Sequence, residues 1–281
     1  MWSALKKPSP FYLIEIGANN GRLILDILKF AKLIDEKFFN DLECIIIDRS
    51  KILETHSSPE NYHTIISDTI PCKNISGCIL SNEFFDALPV HKFQIKNKII
   101  TEIYLTIQNN ELKEINVPLE HNSLYETITE IYPESLVNYI GEINIFTKQI
   151  IQNFSNTLNN GFVITIDYGN TTENLVKKYK NSSIQTYSTH TKGTNPYTKI
   201  GGQDITSDVN FSHLMVAGKS YGFNPIYYAN QSKFLKTNGI NYWINQLNKE
   251  SDNNTKTKNF AAIYDLLNPN GLFYAEDLIS R

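Results

Sequence analysis

The chain has 281 residues, of which 41% are hydrophobic and 20% are charged, so it is long enough to form a core and wholesale disorder is not expected. Its formal net charge of −3 argues against a general nucleic-acid-binding protein. No apolar run reaches the roughly eighteen residues that a membrane-spanning helix needs, so no such helix is predicted.

The cysteines and histidines argue against a Cys-x-x-Cys site and against a metal site. The three cysteines form no Cys-x-x-Cys pair, which predicts a reducing compartment and thiols that serve as small buried groups. The six histidines are scattered, so no metal site is predicted. The segment before the first predicted strand is too short for a secretory or transit signal.

The stretch Tyr12–Gly21 predicts a strand, a tight glycine turn and a helix. Tyr12–Ile16 is a short apolar run with β-branched residues, typical of a buried strand. The turn runs from Gly17 to Gly21, and apolar residues follow at helical spacing. This arrangement brings a helix N-terminus close to a ligand, although many α/β proteins turn this way with nothing bound.

Three later apolar runs also end in polar residues. Cys44–Asp48 ends in an acid 48 − 21 = 27 residues after Gly21, about where nucleotide-binding sheets place a carboxylate for ribose hydroxyls. Gly77–Ser81 leads into Asn82, and Phe162–Ile166 leads into Asp167. A further parallel strand, His63–Ser67, ends at Asp68. Ligands of doubly wound α/β folds lie along this edge, so the pattern predicts such a fold with a nucleotide-type ligand.

The middle of the chain interrupts this alternation. Residues 91–118 are rich in β-forming residues and turn signals, which predicts an inserted antiparallel segment. Apolar residues from Leu136 to Leu158 recur at helical spacing and predict one long amphipathic helix. Residues 170–205 are polar and rich in turn residues, which predicts a long lid-like loop.

The C-terminal part returns to helices and strands. Thr206–Asp208 is predicted to cap a helix over 209–221, and a short helix is predicted at Lys51–His56. Strands at 226–229 and 272–278 flank predicted helices near 231–237, 240–248 and 257–267. They suit a seven-stranded sheet with one reversed edge strand.

Four motifs together resemble the MidA family of S-adenosylmethionine-dependent methyltransferases, which includes mitochondrial complex I assembly-factor arginine methyltransferases. The motifs are Glu15–Gly17 with Gly21, Asn82–His91, Ile166–Gly169 and Gly202–Phe211. The resemblance implies a class I methyltransferase (Rossmann-like) fold over 1–281 as a single domain, with an inserted antiparallel β segment and C-terminal helices. It also implies S-adenosylmethionine as the cofactor.

The resemblance assigns the cofactor-binding residues as Glu15, Gly17, Gly21, Asp48, Asp68 and Asn82. In this assignment Glu15 accepts the donor's ammonium, the amides of the glycine turn face its carboxylate, Asp48 accepts both ribose hydroxyls and Asp68 bonds the adenine amine.

The resemblance places Glu83 and Asp86 where the methyl group lies, as catalytic residues. Acids can pair with a guanidinium in bidentate fashion and orient one nitrogen, and Glu130 is a further candidate partner. His91 is interpreted as structural rather than as a base. Asp167 and Tyr168 close the wall of the cleft.

The resemblance implies a protein substrate, a respiratory complex I subunit, methylated on arginine. It implies the bacterial cytoplasm or the mitochondrial matrix as the compartment, and His190 and Asp204 as positions that contact substrate or order the loop. Two alternatives stay open: a methyltransferase acting on another nucleophile, and a catalytically silent scaffold or assembly factor. The altered glycine turn, with Ala18 and Asn19 where the family has Pro-Gly, and the short segment before the first strand favour the scaffold. A dehydrogenase is a weaker alternative because the glycine spacing is wrong, and the oligomeric state stays open.

Overall fold

The computed structural model describes residues 1–50, 61–120, 122–188, 191–249, 252–268 and 275–280, the last range by its backbone. The chain divides into two compact units, whereas the sequence predicts a single domain with an insertion. Unit 1 comprises Met1–Glu83, Asn156–Tyr168 and Phe223–Arg281. Unit 2 comprises Phe84–Ser155 and Gly169–Gly222.

Within the described residues, the strands in chain order are β1 (Phe11–Ile16), β2 (Leu42–Asp48), β3 (Tyr62–Ile66), β4 (Ile75–Asn82), β5 (His91–Lys96), β6 (Ile99–Gln108), β7 (Glu111–Pro118), β8 (Tyr139–Ile143), β9 (Leu158–Ile166), β10 (Gly169–Asn170), β11 (Gln185–Ser188), β12 (Thr191–Gly193), β13 (Asp204–Thr206), β14 (Val209–Asn210), β15 (Asn224–Tyr227) and β16 (Ala275–Ser280). The helices are α1 (Arg22–Ile34), α2 (Glu36–Asp41), α3 (Ser123–Ile131), α4 (Thr147–Thr157), α5 (Thr172–Lys178), α6 (Phe211–Ser220), α7 (Gln231–Thr237), α8 (Ile240–Asn248) and α9 (Asn253–Leu267).

Unit 1 is built on a seven-stranded sheet in the order β15-β16-β9-β4-β1-β2-β3. Strands β1, β2, β3, β4 and β9 pair in parallel, and β16 is antiparallel to both β9 and β15. The sheet has a reversed strand, β16, but the prediction that it forms the edge is wrong. Strand β15 pairs with the outer side of β16 and is the edge strand. The inner strands read as continuous apolar runs because both faces of a parallel sheet are covered.

Helix α1 covers one face of this sheet. Its buried residues Ile24, Leu28 and Ala31 recur at the spacing of one helix face and pack against the sheet residues Cys44 and Ile46. The thiols of Cys44 and Cys78 are free and fully buried, as the cysteine usage predicts.

Unit 2 contains a four-stranded antiparallel sheet in the order β7-β6-β5-β8. Its fourth strand, β8, comes from the segment predicted as one long helix, so that prediction is wrong for residues 139–143 and correct for the α4 region. Phe93 of β5 pairs with Gly141 of β8, and a Cβ at Gly141 would lie only 3.1 Å from the Phe93 ring. The pairing partner, not the local apolar spacing, therefore decides the conformation here.

The segment 170–205 contains structure that the sequence does not predict. It holds α5 and the strands β11 and β12, which pair with each other, and β13 adds to β11 from Asp204 onward. The buried carboxylate of Glu142 anchors the segment, because it accepts hydrogen bonds from Ser182 Oγ and from the backbone N–H and Oγ of Ser183. The segment is therefore more ordered than a plain loop, because these long-range bonds stabilise short strands whose own composition is polar.

Helix α6 begins after a different cap from the one predicted. The side chain of Asn210 accepts the N–H of His213 and caps the helix. Asp208 is engaged elsewhere, because its Oδ2 accepts hydrogen bonds from Lys178 Nζ at 2.8 Å and Tyr179 Oη at 2.9 Å.

The predicted helix at Lys51–His56, part of the last predicted strand (272–274) and His190 lie outside the described residues. Helix α3 is not predicted from the sequence. In the part of the chain that the structure describes, no helix is long and apolar enough to cross a membrane.

Candidate functional site

The glycine turn after β1 has the backbone that its residues predict. Gly17, Asn19 and Gly21 all adopt positive φ, at 71°, 50° and 66°, and Asn tolerates this region better than most other side chains. The N–H groups of Gly17 and Ala18 donate to Ile47 O at 2.9 and 3.3 Å. These amides, which the resemblance assigns to the donor's carboxylate, therefore already have acceptors inside the protein.

Glu15 is the most unusual group beside this turn. It is only 4% exposed, and among the described residues its Oε2 has no hydrogen-bond partner. Burial raises the pKa of the carboxyl to about 7. A hydrogen bond from the backbone N–H of Ile24, in the first turn of α1, lowers this pKa but does not offset the effect of burial. A buried carboxylate oxygen without a donor is costly, so this atom is suited to accept a bond from a ligand.

Tyr62 packs against the other end of the turn, and no motif in the sequence indicates this. A Cβ built on Gly21 would lie 2.2 Å from Tyr62 Oη and 2.8 Å from Ile46 Cδ1. Burial raises the pKa of Tyr62, and the charge of Glu15 adds to the rise. Gly21 is therefore required for two reasons: its φ is positive, and its neighbours leave no room for a side chain.

Asp48 ends β2 beside the turn. Its Oδ2 accepts the N–H of Asn19 at 2.9 Å, and its Oδ1 accepts the N–H of Ser50 at 2.9 Å and Ser50 Oγ at 2.7 Å. Partial burial acts to raise the pKa of this carboxyl, but the hydrogen bonds outweigh it and the net pKa is lowered. The ionised carboxylate keeps lone pairs for additional donors, since two oxygens offer about four acceptor positions.

Asp68 lies two residues beyond the end of β3. Its Oδ1 forms an exposed ion pair with Arg49 Nε at 2.7 Å. A ligand contact by Asp68 would share this carboxylate with Arg49, and exposed pairs of this kind contribute little stability of their own.

The end of β4 brings Glu83 next to the end of β9. Asn82 pairs with Ile166, and the N–H of Glu83 donates to Ile166 O at 2.8 Å. Glu83 has φ 49°, which for a non-glycine residue costs on the order of 1–3 kcal/mol. Its Oε1 accepts a hydrogen bond from Tyr168 Oη at 3.3 Å. Observed backbone strain of this kind clusters at functional sites.

The structure assigns Asp86 to unit 2, whereas Glu83 ends the first segment of unit 1. Asp86 is buried, and its backbone O accepts the N–H of Ser207 at 3.1 Å, which joins two of the motifs within unit 2. The ring of His91 bonds Glu102 at 2.6 Å, as expected for a structural histidine. Glu130 is paired with Lys148 at 2.7 Å.

A separate apolar pocket of about 500 Å³ lies on the α1 face of the sheet in unit 1. It is walled by sheet residues such as Leu13 and Leu80 and by the aromatic rings of Trp2, Phe38 and Phe234. None of the predicted site residues lines it, so the polar edge of the sheet and this pocket are distinct features. Among the described residues, no group of three or more His, Cys, Asp or Glu side chains is placed to hold a metal ion.

The residues at this edge fit a ligand that carries an amino-acid group and a ribose. Glu15 offers an unpartnered acceptor beside the N-terminus of α1, Asp48 offers an ionised carboxylate at the next strand end, and the parallel register places Asn82 on the other side of β1. In doubly wound sheets this edge is where nucleotide ligands bind.

A family model described as "Putative S-adenosyl-L-methionine-dependent methyltransferase" matches residues 1–229. Two mitochondrial proteins named protein arginine methyltransferase NDUFAF7 are similar to 95% of the chain. The one from Homo sapiens is 25% identical and the one from Danio rerio is 24% identical. The chain spans 64% of the length of the human protein and 68% of the zebrafish protein.

Two crystal structures of Burkholderia thailandensis proteins share the fold. One, bound to S-adenosyl-homocysteine, is 20% identical with a TM-score of 0.82, covering 99% of this chain and 73% of that one. The other, a native structure of an uncharacterized protein, is 21% identical with a TM-score of 0.85, covering 99% of this chain and 76% of that one. These likenesses confirm the predicted class I methyltransferase fold.

Proposed function

The chain belongs to this family of S-adenosyl-L-methionine-dependent methyltransferases, and we propose that it transfers the methyl group to an arginine side chain of a protein substrate. S-adenosylmethionine is the cofactor, and the site residues assigned to it in this proposal are those of the sheet edge in unit 1. The observation that carries the proposal is the buried, unpartnered Oε2 of Glu15 beside the glycine turn.

In the proposed binding mode Glu15 accepts the ammonium of the donor, and Asp48 accepts the ribose hydroxyls. Gly17 and Gly21 give the turn the positive φ that brings its backbone close to the ligand, and Asn82 and Asp68 contact the ligand from the neighbouring strand ends. Since the N–H groups of Gly17, Ala18, Asn19 and Gly21 are bonded within the protein, the turn contributes mainly through its close approach to the ligand.

S-adenosylmethionine supplies an electrophilic methyl group: the acceptor nitrogen forms the N–C bond, the C–S bond breaks onto sulfur, and one N–H proton leaves. The protein's contribution to such a displacement is alignment and exclusion of water. Glu83 is proposed to hold the guanidinium through a charge-assisted hydrogen bond and to orient its reacting nitrogen. Asp86 is proposed as a second acid toward the same group.

The arginine specificity rests on the relatives named as protein arginine methyltransferases and on the motifs around Glu83. By family resemblance the acceptor is a respiratory complex I subunit, in the bacterial cytoplasm or the mitochondrial matrix. A second candidate is a scaffold that binds the donor without turnover. Ala18 and Asn19 in the glycine turn favour it, because they replace the family's Pro-Gly. A methyltransferase acting on another nucleophile is the third.

The test combines binding with turnover. Calorimetric titration with S-adenosylmethionine, S-adenosylhomocysteine and NAD is expected to show micromolar binding of the first two only. Labelled methyl groups are then expected to enter protein of a lysate lacking this gene, and hydrolysis of that protein is expected to release methylarginine.

Each failure identifies a different alternative. If neither S-adenosylmethionine nor S-adenosylhomocysteine gives a heat of binding at several hundred micromolar, the proposed cofactor site is excluded. Binding without labelling would favour the scaffold, and label in another amino acid would exclude arginine as the acceptor. Glu83→Gln, with the exposed Glu111→Gln as control, is expected to lower transfer about 10²-fold with unchanged affinity for S-adenosylhomocysteine.

A further inference from the structure

The hydroxyl of Tyr168 and the carboxylate of Glu83 meet at the ends of two neighbouring strands. Tyr168 Oη lies 3.3 Å from Glu83 Oε1, although the residues are 85 positions apart in the chain. The backbones are joined as well, because the N–H of Glu83 donates to Ile166 O at 2.8 Å. Two independent bonds therefore connect Glu83 to the segment that carries Tyr168.

Glu83 has a fixed backbone and an adaptable side chain. Its φ of 49° lies in a region that non-glycine residues rarely adopt, and the bond to Ile166 holds it there. The side chain itself is exposed and has three rotatable bonds. A carboxylate in that situation samples several orientations unless a neighbouring group selects one.

Tyr168 is the more constrained partner. Its backbone N–H donates to Oδ1 of the buried Asp167 at 2.9 Å, and its ring is partly buried. A tyrosine side chain has only two rotatable bonds before its hydroxyl, so little entropy is lost when it holds a partner. The rigid hydroxyl therefore positions the flexible carboxylate, and not the reverse.

We propose that Tyr168 is a positioning residue whose hydroxyl holds the Glu83 carboxylate in the orientation that methyl transfer requires. This inference rests on the proposed function, in which Glu83 orients the acceptor nitrogen. Tyr168 acts through Glu83 and takes no part in the binding of the methyl donor. Its removal consequently lowers the rate of transfer and leaves the affinity for the donor unchanged.

The experiment compares wild type with Tyr168→Phe, Glu83→Gln and the double variant. Tyr104→Phe is the matched control, because it removes another tyrosine–glutamate bond, from Tyr104 Oη to Glu102 Oε2 at 2.6 Å. Each protein is assayed with labelled S-adenosylmethionine at a fixed amount of lysate protein. Affinity for S-adenosylhomocysteine is measured by calorimetry, and thermal unfolding reports any loss of stability.

The expected result is a fall of about 10-fold in the maximal rate for Tyr168→Phe, the lower range for a hydrogen bond to a charged group. The KM for S-adenosylmethionine and the affinity for S-adenosylhomocysteine stay within about 2-fold of wild type, and the midpoint of unfolding is unchanged. The double variant transfers at the rate of Glu83→Gln alone, because the hydroxyl has lost the carboxylate on which it acts.

Three outcomes of the activity assay overturn the inference while the proposed function stands: full activity of Tyr168→Phe, an equal loss in Tyr104→Phe, or effects of the two substitutions that multiply in the double variant. A loss of donor affinity in Tyr168→Phe also overturns it, since the residue would then belong to the binding site. If wild type binds the donor and labels no protein, the proposed function fails and this inference fails with it.

Discussion

The backbone N–H of Asn19 donates a hydrogen bond to Oδ2 of Asp48 at 2.9 Å. The bond joins the glycine turn after β1 to the end of β2, so the carboxylate of Asp48 shapes the turn at the edge of the sheet where the ligand is proposed to bind. Since Oδ1 of Asp48 is held by Ser50, the orientation of the carboxylate is fixed before any ligand arrives. A preorganised acceptor loses less entropy on binding than a mobile one.

Asp48→Ala is expected to weaken the binding of S-adenosylhomocysteine by about 10- to 100-fold, since it removes charge-assisted hydrogen bonds worth about 1.5–3 kcal/mol. Calorimetric titration measures the change. The control is Asp26→Ala, which removes an exposed acid that is also ion-paired, to Lys29 at 3.3 Å. Equal affinity of the Asp48 variant and wild type would show that Asp48 does not bind the ligand.

Gly21→Ala is expected to lower the free energy of unfolding by about 2–4 kcal/mol, because a positive φ and overpacking against Tyr62 and Ile46 act together. Denaturant unfolding measures the loss. Gly201→Ala is the matched control, because Gly201 also has a positive φ, of 75°, with nothing within 4 Å of an added Cβ. That control is expected to cost only the backbone contribution of about 1–2 kcal/mol. Equal losses in both variants would contradict the packing seen around Gly21.

The raised pKa of Glu15 predicts a stability that falls as pH rises. Its pKa is about 7 in the folded protein against 4.5 for an ordinary glutamate, so the folded state binds the proton more tightly. The contribution of Glu15 to the free energy of unfolding is complete below pH 4.5 and is lost as pH rises through 7. The size of the loss is about 3 kcal/mol.

Comparing wild type with Glu15→Gln isolates this contribution. The difference in unfolding free energy between the two proteins is expected to change by about 3 kcal/mol between pH 4.5 and 7. Burial lowers the pKa of His213 to about 4, so His213 makes the protein more stable as pH rises from 4 to 6.5. Because this effect is the same in both proteins, it cancels in the difference between them. A pH-independent difference would mean that Glu15 titrates normally.

The segment 170–205 is proposed to become more ordered when substrate binds, and hydrogen exchange tests this. Amides of β11 are expected to be protected without ligand, since the strand pairs on both sides and Glu142 anchors Ser183 just before it. Amides of 195–203, held by side-chain contacts such as Tyr197 Oη to Glu114 Oε1 at 2.5 Å, are expected to exchange fast and to slow with substrate. Full protection of 195–203 in the ligand-free protein would contradict a lid.

The sequence by itself determined the parallel core of unit 1. Buried strands of a parallel sheet are apolar on both faces, so β1, β2, β4 and β9 are visible as apolar runs, and the acids and glycines at their ends follow directly. The turn at Gly17–Gly21 is likewise local, because positive φ favours glycine and asparagine at fixed positions.

The tertiary structure alone decided what depends on partners distant in the chain. Tyr139–Ile143 has apolar spacing compatible with a helix, and only its pairing with β5 makes it a strand. The predicted loop after Asn170 becomes ordered because Glu142 holds Ser183 across 41 positions. The bond of Tyr168 to Glu83 spans 85 positions. Local conformational propensity cannot predict such contacts, because they stabilise the protein only after folding has brought the two distant groups together.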